Sequence, residues 1–217
     1  MKVAIGVFAK APVAGRVKTR LAASVGHRAA RFFYQQMCQS VVETAAKFGS
    51  ARLTVWYTPQ RHPFLRGLTR RYQAKLKAQR PGHLGQRLYA VAKQELCSAD
   101  AVLLIGADAV ELTAAHFSNA IQQLKNRADV VVAPAGDGGY TLIGLSRPLP
   151  VVFQKIPWGS AGVMNATQKQ CRAAGLNLVE LAPAADLDTL SDLKAWQQQQ
   201  GSAFFWHKAT RTGYDED

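Results

Sequence analysis

Val3-Ala4-Ile5-Gly6-Val7-Phe8-Ala9, followed by Lys10-Ala11-Pro12-Val13-Ala14-Gly15-Arg16-Val17-Lys18-Thr19-Arg20-Leu21, decides how the 217-residue chain is read. The first seven residues carry no charge and do not alternate between apolar and polar. They therefore predict a strand buried on both faces, the pattern of a parallel sheet covered by helices. The loop after them holds a proline, one glycine and four cationic side chains, Lys10, Arg16, Lys18 and Arg20, and leads towards a helix. Backbone N–H groups at such a turn, together with Lys and Arg, suit phosphate oxygens. An ordinary solvated loop is the competing reading. The segment is neither a Walker A loop nor a G-x-G-x-x-G fingerprint.

The same unit, an apolar run and then a helical pattern, recurs along the chain. Strand-like runs fall at Leu53–Tyr57, Ala101–Ile105, Asp129–Ala133, Tyr140–Leu145 and Leu176–Leu181. Helix-like stretches fall at about Arg28–Phe48, Leu84–Leu96, Thr113–Lys125, Ser160–Ala174 and Ser191–Gln200. In the third, Phe117, Ile121 and Leu124 share one face, and Thr113 is the expected N-cap. The expectation is an α/β fold, a three-layer Rossmann-like sandwich around a mainly parallel sheet. No linker or internal repeat divides it. Residues 1–200 read as one domain and 201–217 as a C-terminal tail.

Composition narrows the function classes. The chain carries 27 Lys and Arg against 14 Asp and Glu, a net charge of +13, which favours anionic partners. Only the stretch from Arg70-Arg71 to Lys75, Lys77 and Arg80 is dense in cations, and no zinc finger, RNA-binding aromatic motif or basic heptad accompanies it. Nucleic acid is therefore disfavoured as partner. No apolar run reaches the ~20 residues a membrane helix needs. The first strand is too short for a secretory signal, so the cytoplasm is the expected compartment. Cys38, Cys97 and Cys171 are scattered without metal-type spacing and read as small buried hydrophobes.

In open parallel sheets ligands lie beyond the carboxyl ends of the strands, so the chemistry is sought in those loops. Asp108, after Val102-Leu103-Leu104-Ile105-Gly106-Ala107, is placed to hold a divalent cation through hard oxygen. A helix cap by Asp108 or Glu111 is the alternative. Asp137-Gly138-Gly139 implies a tight turn, either a hairpin or a ligand-facing one, and the second reading is preferred. Asp186 and Asp188, two apart, would share a side if extended and could add metal ligands, whereas Asp192 fits the first turn of a helix.

Taken together these residues resemble a known family. Phe8-Ala9-Lys10-Ala11-Pro12, Gly15-Arg16-Val17-Lys18-Thr19-Arg20-Leu21, Ile105-Gly106-Ala107-Asp108, Asp137-Gly138-Gly139-Tyr140, Leu142-Ile143-Gly144-Leu145, Pro157-Trp158 and Asp186-Leu187-Asp188-Thr189 stand in one order over about residues 3 to 196. That order is similar to small bacterial glycosyltransferase-like proteins of the nucleotide-diphospho-sugar transferase (GT-A) superfamily. The superfamily also holds the molybdopterin and phospholactate guanylyltransferases. The resemblance implies a nucleotide over the first-strand loop, Mg²⁺ or Mn²⁺ on Asp108 with Asp188, and Asp137 and Asp188 as catalytic residues that serve as second ligands or as a base for the acceptor. It implies phosphate binding by Lys10, Gly15, Arg16, Lys18, Arg20 and Arg87, with Gly138 and Gly139 lining the nucleotide site. Trp158 either stacks on an acceptor or fills the core, and core is preferred. The sequence departs from the family pattern at His83, Val110, Glu111 and Gly136, where carboxylates or a proline are usual.

The expected activity is transfer from a nucleotide sugar to an unknown acceptor, with release of a nucleoside diphosphate. A nucleotidylyltransferase releasing pyrophosphate and a catalytically silent nucleotide or polyanion binder are the alternatives. Self-association is left open.

Overall fold

The computed structural model describes residues 1–199. The tail assigned to 201–217 lies outside them. Seven strands form one sheet: β1 Val3–Lys10, β2 Arg52–Thr58, β3 Lys75–Ala78, β4 Ala101–Gly106, β5 Val130–Pro134, β6 Tyr140–Leu145 and β7 Leu178–Glu180, in the order β3-β2-β1-β4-β6-β5-β7. β6 runs antiparallel to both its neighbours, β4 and β5, and the remaining pairings are parallel. The described helices are α1 Thr19–Val25, α2 His27–Ala46, α3 Pro63–Arg71, α4 Leu84–Glu95, α5 Ala114–Lys125, α6 Val163–Ala173 and α7 Leu190–Gln199, with a 3-10 turn at Pro150–Phe153. This is the α/β sandwich that the sequence predicts.

The apolar strands feed both layers. On β1, Val3, Ile5, Val7 and Ala9 face a core shared with Tyr34, Cys38 and Val41 of α2, Leu65 of α3 and Phe117 of α5. Ala4, Leu104 and Ile143 face the opposite core, with Leu88 and Val91 of α4 and Cys171 of α6. Each such aliphatic side chain, fully buried, contributes roughly 1.5–3 kcal/mol. A third cluster joins α1 and α2 to the end of the described chain through Leu21, Phe33, Met37, Leu187 and Leu193.

Three elements, besides the 3-10 turn, were not anticipated. β3 is a four-residue edge strand, Lys75-Leu76-Lys77-Ala78, without a β-branched residue. α3 begins at Pro63 and carries Gly67 and three arginines, a composition that masks its apolar face. α1 occupies what reads as the end of the first loop, and Gly26 at φ +81° separates it from α2. The cysteines also divide: Cys38 and Cys171 are buried as expected, but Cys97 is exposed and donates to the Lys93 carbonyl.

Several helix starts use residues to which the sequence assigns other roles or none. His83 caps α4: its Nδ1 accepts from the Gln86 N–H, while Gln86 Oε1 accepts from the His83 N–H. His62 Nδ1 accepts from the Phe64 N–H at the start of α3. Thr113 is the N-cap residue of α5, as expected, and its N–H donates to His116 Nδ1. The cap alternative for Asp108 and Glu111 is thereby excluded, because α5 begins at Ala114.

Candidate active site

Strand order reverses at β1: the chain proceeds outward through β2 and β3, then returns to place β4 on β1's other side. Loops leaving the carboxyl ends of β1 and β4 therefore diverge and leave a crevice, the position at which such sheets bind ligands. Lys18 comes from the first of these loops and Asp108 from the second.

Each of these residues has a local reason for its position. Lys18 precedes α1 in the left-handed region, at φ +46°. That turn carries its side chain inward, where it is only 4% exposed. Asp108 follows β4 in a turn whose Ala107 N–H donates to the Phe8 carbonyl of β1. A Cβ on Gly106 would stand 2.7 Å from Asp108 Oδ1, so glycine there gives the carboxylate room to fold back over the strand end. The segment before α7 is held by three bonds. The Ala184 N–H donates to the Pro134 carbonyl, Thr141 Oγ1 donates to the Ala184 carbonyl, and the Ala185 N–H donates to Glu111 Oε2 at 2.7 Å. Glu111 thus has a structural use: it ties the Asp108 loop to the segment that carries Asp186 and Asp188. Asp192 accepts the N–H groups of Asp188 and Thr189, in the first turn where it is expected.

These ties bring three carboxylates together. Asp108, Asp186 and Asp188 each offer an oxygen, all within 4.8 Å of one another. Lys18 Nζ lies 2.8 Å from Asp108 Oδ2 and 2.6 Å from Asp188 Oδ1. Burial pulls the Lys18 ammonium down, but Asp108 and then Asp188 outweigh it and hold the lysine above its ordinary pKa. Asp186 is pushed up to about 6, first by burial and then by the neighbouring charge of Asp108, with Lys18 opposing. Three hard oxygen donors fit Mg²⁺ or Mn²⁺. Asp186 is the member the sequence reading weighed but did not select.

Two cavities flank the cluster. One, of roughly 400 Å³, is walled by Lys10, Lys18, Arg20, Arg87, Asp108 and Asp188. Tyr34, Thr58, Gln79 and Leu84 also line it, and none of these carried a local signal in the sequence. The Lys10 N–H donates to Tyr34 Oη, and Arg87 Nε donates to the Gly82 carbonyl. Arg20 is mostly solvent-exposed, with Nη1 3.7 Å from Asp188 Oδ2. Gly15 and Arg16 lie on the exposed outer part of the loop and do not line this cleft.

The second cavity, of roughly 540 Å³, shares Phe8, Arg20, Leu84 and Asp188 with the first and adds Asp137, Gly139 and Trp158. Asp137 Oδ1 accepts the Gly139 N–H. Gly138 sits at φ +85°, and a Cβ there would stand 2.1 Å from the Ala161 carbonyl oxygen, so close packing accounts for this glycine. Asp137 and Gly139 thus line the second cavity, not the cationic cleft. Trp158 is half-buried: its indole packs on Gly85 and meets the Tyr140 ring edge-on at 6.3 Å while also lining the cavity.

Residues 41–160 match the model of a family described as an uncharacterized protein conserved in bacteria (DUF2064). Among solved structures the chain is similar to a protein of Desulfovibrio desulfuricans provisionally named a nucleotide-diphospho-sugar transferase. The two share 31% identity and a TM-score of 0.84, over 94% of this chain and 90% of that one. CMP:2-keto-3-deoxy-manno-octonic acid synthetase, solved with CTP, aligns with a TM-score of 0.60 at 14% identity, over 93% and 99% of the two chains. 4-Diphosphocytidyl-2C-methyl-D-erythritol synthase of Anaerococcus prevotii aligns with a TM-score of 0.60 at 6% identity, over the same shares. These last two share the fold. No protein of curated function matches the chain by sequence.

Proposed function

The chain belongs to the DUF2064 family, and we propose that it is a cation-dependent transferase that takes a nucleotide sugar as donor and releases a nucleoside diphosphate. The observation that carries this reading is the state of the first loop's backbone. The Ala11 N–H donates to the Thr58 carbonyl, the Val13 N–H to the Ala11 carbonyl and the Arg16 N–H to the Val13 carbonyl. Ala11, Pro12 and Val17 are buried. Three of the seven N–H groups between Ala11 and Lys18 are used in this way, and Pro12 has none, which leaves the loop fewer with which to wrap a triphosphate. Lys10, Lys18 and Arg20 of the same loop, by contrast, converge on a cleft suited to a diphosphate.

In this reading Lys18, Arg20, Lys10 and Arg87 meet the diphosphate charge, which grows as the bond to the sugar breaks. Asp108, Asp186 and Asp188 would hold Mg²⁺ or Mn²⁺, which when bound supplies positive charge against the leaving diphosphate. Asp137, lining the second cavity, accepts the proton of the acceptor hydroxyl as its oxygen bonds to the sugar carbon. The name given to the 31% identical structure is consistent with a donor of this kind.

A coupled assay with two arms tests the reaction type. One arm offers common nucleotide sugars with Mn²⁺; the other offers nucleoside triphosphates with sugar phosphates. Nucleoside diphosphate is expected in the first arm, with slow hydrolysis visible even without acceptor. Pyrophosphate in the second arm alone would replace this reading with nucleotidyl transfer. Silence in both arms with measurable nucleotide binding would favour a silent binder.

A further inference from the structure

We propose that the second cavity takes an amphipathic alcohol, a hydroxyl compound with an aryl or short alkyl body, and not a free sugar. The proposal deepens the transferase reading above by naming the acceptor class. Its first support is how the cavity's polar groups are already used. Thr141 Oγ1 donates to the Ala184 carbonyl. Ser160 Oγ donates to the Pro157 carbonyl and accepts the Gly162 N–H. Tyr140 Oη and Trp158 Nε1 have no hydrogen-bond partner but are buried out of reach of solvent, the indole nitrogen against Gly85. The further side chains that present polar atoms to the cavity are therefore Asp137, Asp188 and Arg20, the last two shared with the cationic cleft next door. One end of the cavity can therefore receive a hydroxyl beside the donor, while the rest offers few side-chain partners to a ring of hydroxyls. A polar group buried there without a partner is penalised.

The remaining wall is apolar. Leu104 and Ile143 of the sheet, Leu88 of α4, Val163 of α6 and the rings of Trp158 and Tyr140 line it. Leu88, Leu104 and Ile143 belong to one of the two main cores and Val163 is buried, so the cavity opens into an apolar layer. At the lip stands Leu84, which lines both cavities and is 44% exposed. Among the described residues it and Met1 are the large hydrophobic side chains left exposed. An exposed leucine on the rim of an apolar cavity gains contact when an apolar body enters.

Calorimetry on the full chain tests this with 3-phenyl-1-propanol, propylbenzene and glucose as probes, in the absence of nucleotide. Phenylpropanol should bind at least about tenfold tighter than glucose and tighter than propylbenzene, with a negative heat-capacity change. Ala161→Trp, which fills the cavity from its exposed rim, should abolish that binding. Leu84→Gln, at an exposed position that the fold tolerates, should weaken it about threefold or more. Glucose binding as well as phenylpropanol, or phenylpropanol binding unchanged in both variants, would overturn the proposal. Turnover of a nucleotide sugar with sugar acceptors, without phenylpropanol binding, would also overturn it while leaving the transferase reading intact. Phenylpropanol binding that both variants weaken, without any nucleotide binding, would uphold the cavity's chemistry and sink the donor reading instead.

Discussion

Lys18 and a divalent cation would compete for the same oxygens. The ammonium lies within 2.8 Å of both Asp108 and Asp188, which are also two of the three carboxylates able to hold a metal. Lys18→Met should therefore raise the affinity of the nucleotide-free protein for Mn²⁺ by about tenfold, since a neighbouring positive charge is removed. In EDTA the same variant should bind nucleoside diphosphate about 1–3 kcal/mol more weakly and the bare nucleoside as before. Titration of each ligand by calorimetry reads both, and equal losses for diphosphate and nucleoside would remove Lys18 from the phosphate site. Asp108 and Asp188 were legible in the sequence because each follows an apolar run in a loop where ligands collect. Asp186 was half-legible: its spacing from Asp188 is visible, but only the bonds of Ala184 and Ala185 turn it towards Asp108. Tyr34, Thr58 and Gln79 reach the cleft from α2, from the end of β2 and from just beyond β3, so no local pattern announces them.

At the scale of elements, two turns fix the geometry on which the site stands. Asp129, just before β5, accepts the Asn177 N–H that precedes β7 and the Arg147 guanidinium after β6. The Asn177 N–H, and then Arg147, hold its carboxyl below the ordinary carboxylate range, against the opposing effect of burial. The ionised form therefore stabilises the fold. That contribution is complete above about pH 4, the unfolded value, and is lost as pH falls through the lower folded value. Asp129→Asn should cost about 1 kcal/mol at neutral pH in urea melts, and the gap from wild type should close in strong acid. A gap that persists there would assign the loss to shape instead of charge. Gly138→Ala forces a positive φ on a residue whose Cβ meets the Ala161 carbonyl, and should cost about 2 kcal/mol or more in the same melts. Long elements with full apolar faces, such as α2 and α5, were legible to within a few residues. β3 was not, because an edge strand needs no apolar pattern and carries Lys75 and Lys77 instead.

For the whole molecule, sheet order converts sequence-distant loops into one site: Lys18 and Asp188 are 170 positions apart and in hydrogen-bond contact. The fold class was readable because its central strands, such as β1, β4 and β5, are apolar on both faces, a property each segment carries by itself. Which loops converge depends on the strand order β3-β2-β1-β4-β6-β5-β7, which periodicity does not encode. The account's central claim is that the carboxylate cluster beside Lys18 is where a cation and a nucleoside diphosphate meet. Calorimetric titration of nucleoside diphosphates into wild type and Asp108→Asn, with and without Mn²⁺, tests it most directly. Mn²⁺ should tighten diphosphate binding about tenfold or more in wild type, and should have no effect in a variant that melts like wild type. Unchanged Mn²⁺ enhancement in Asp108→Asn, or none in wild type, would contradict the claim.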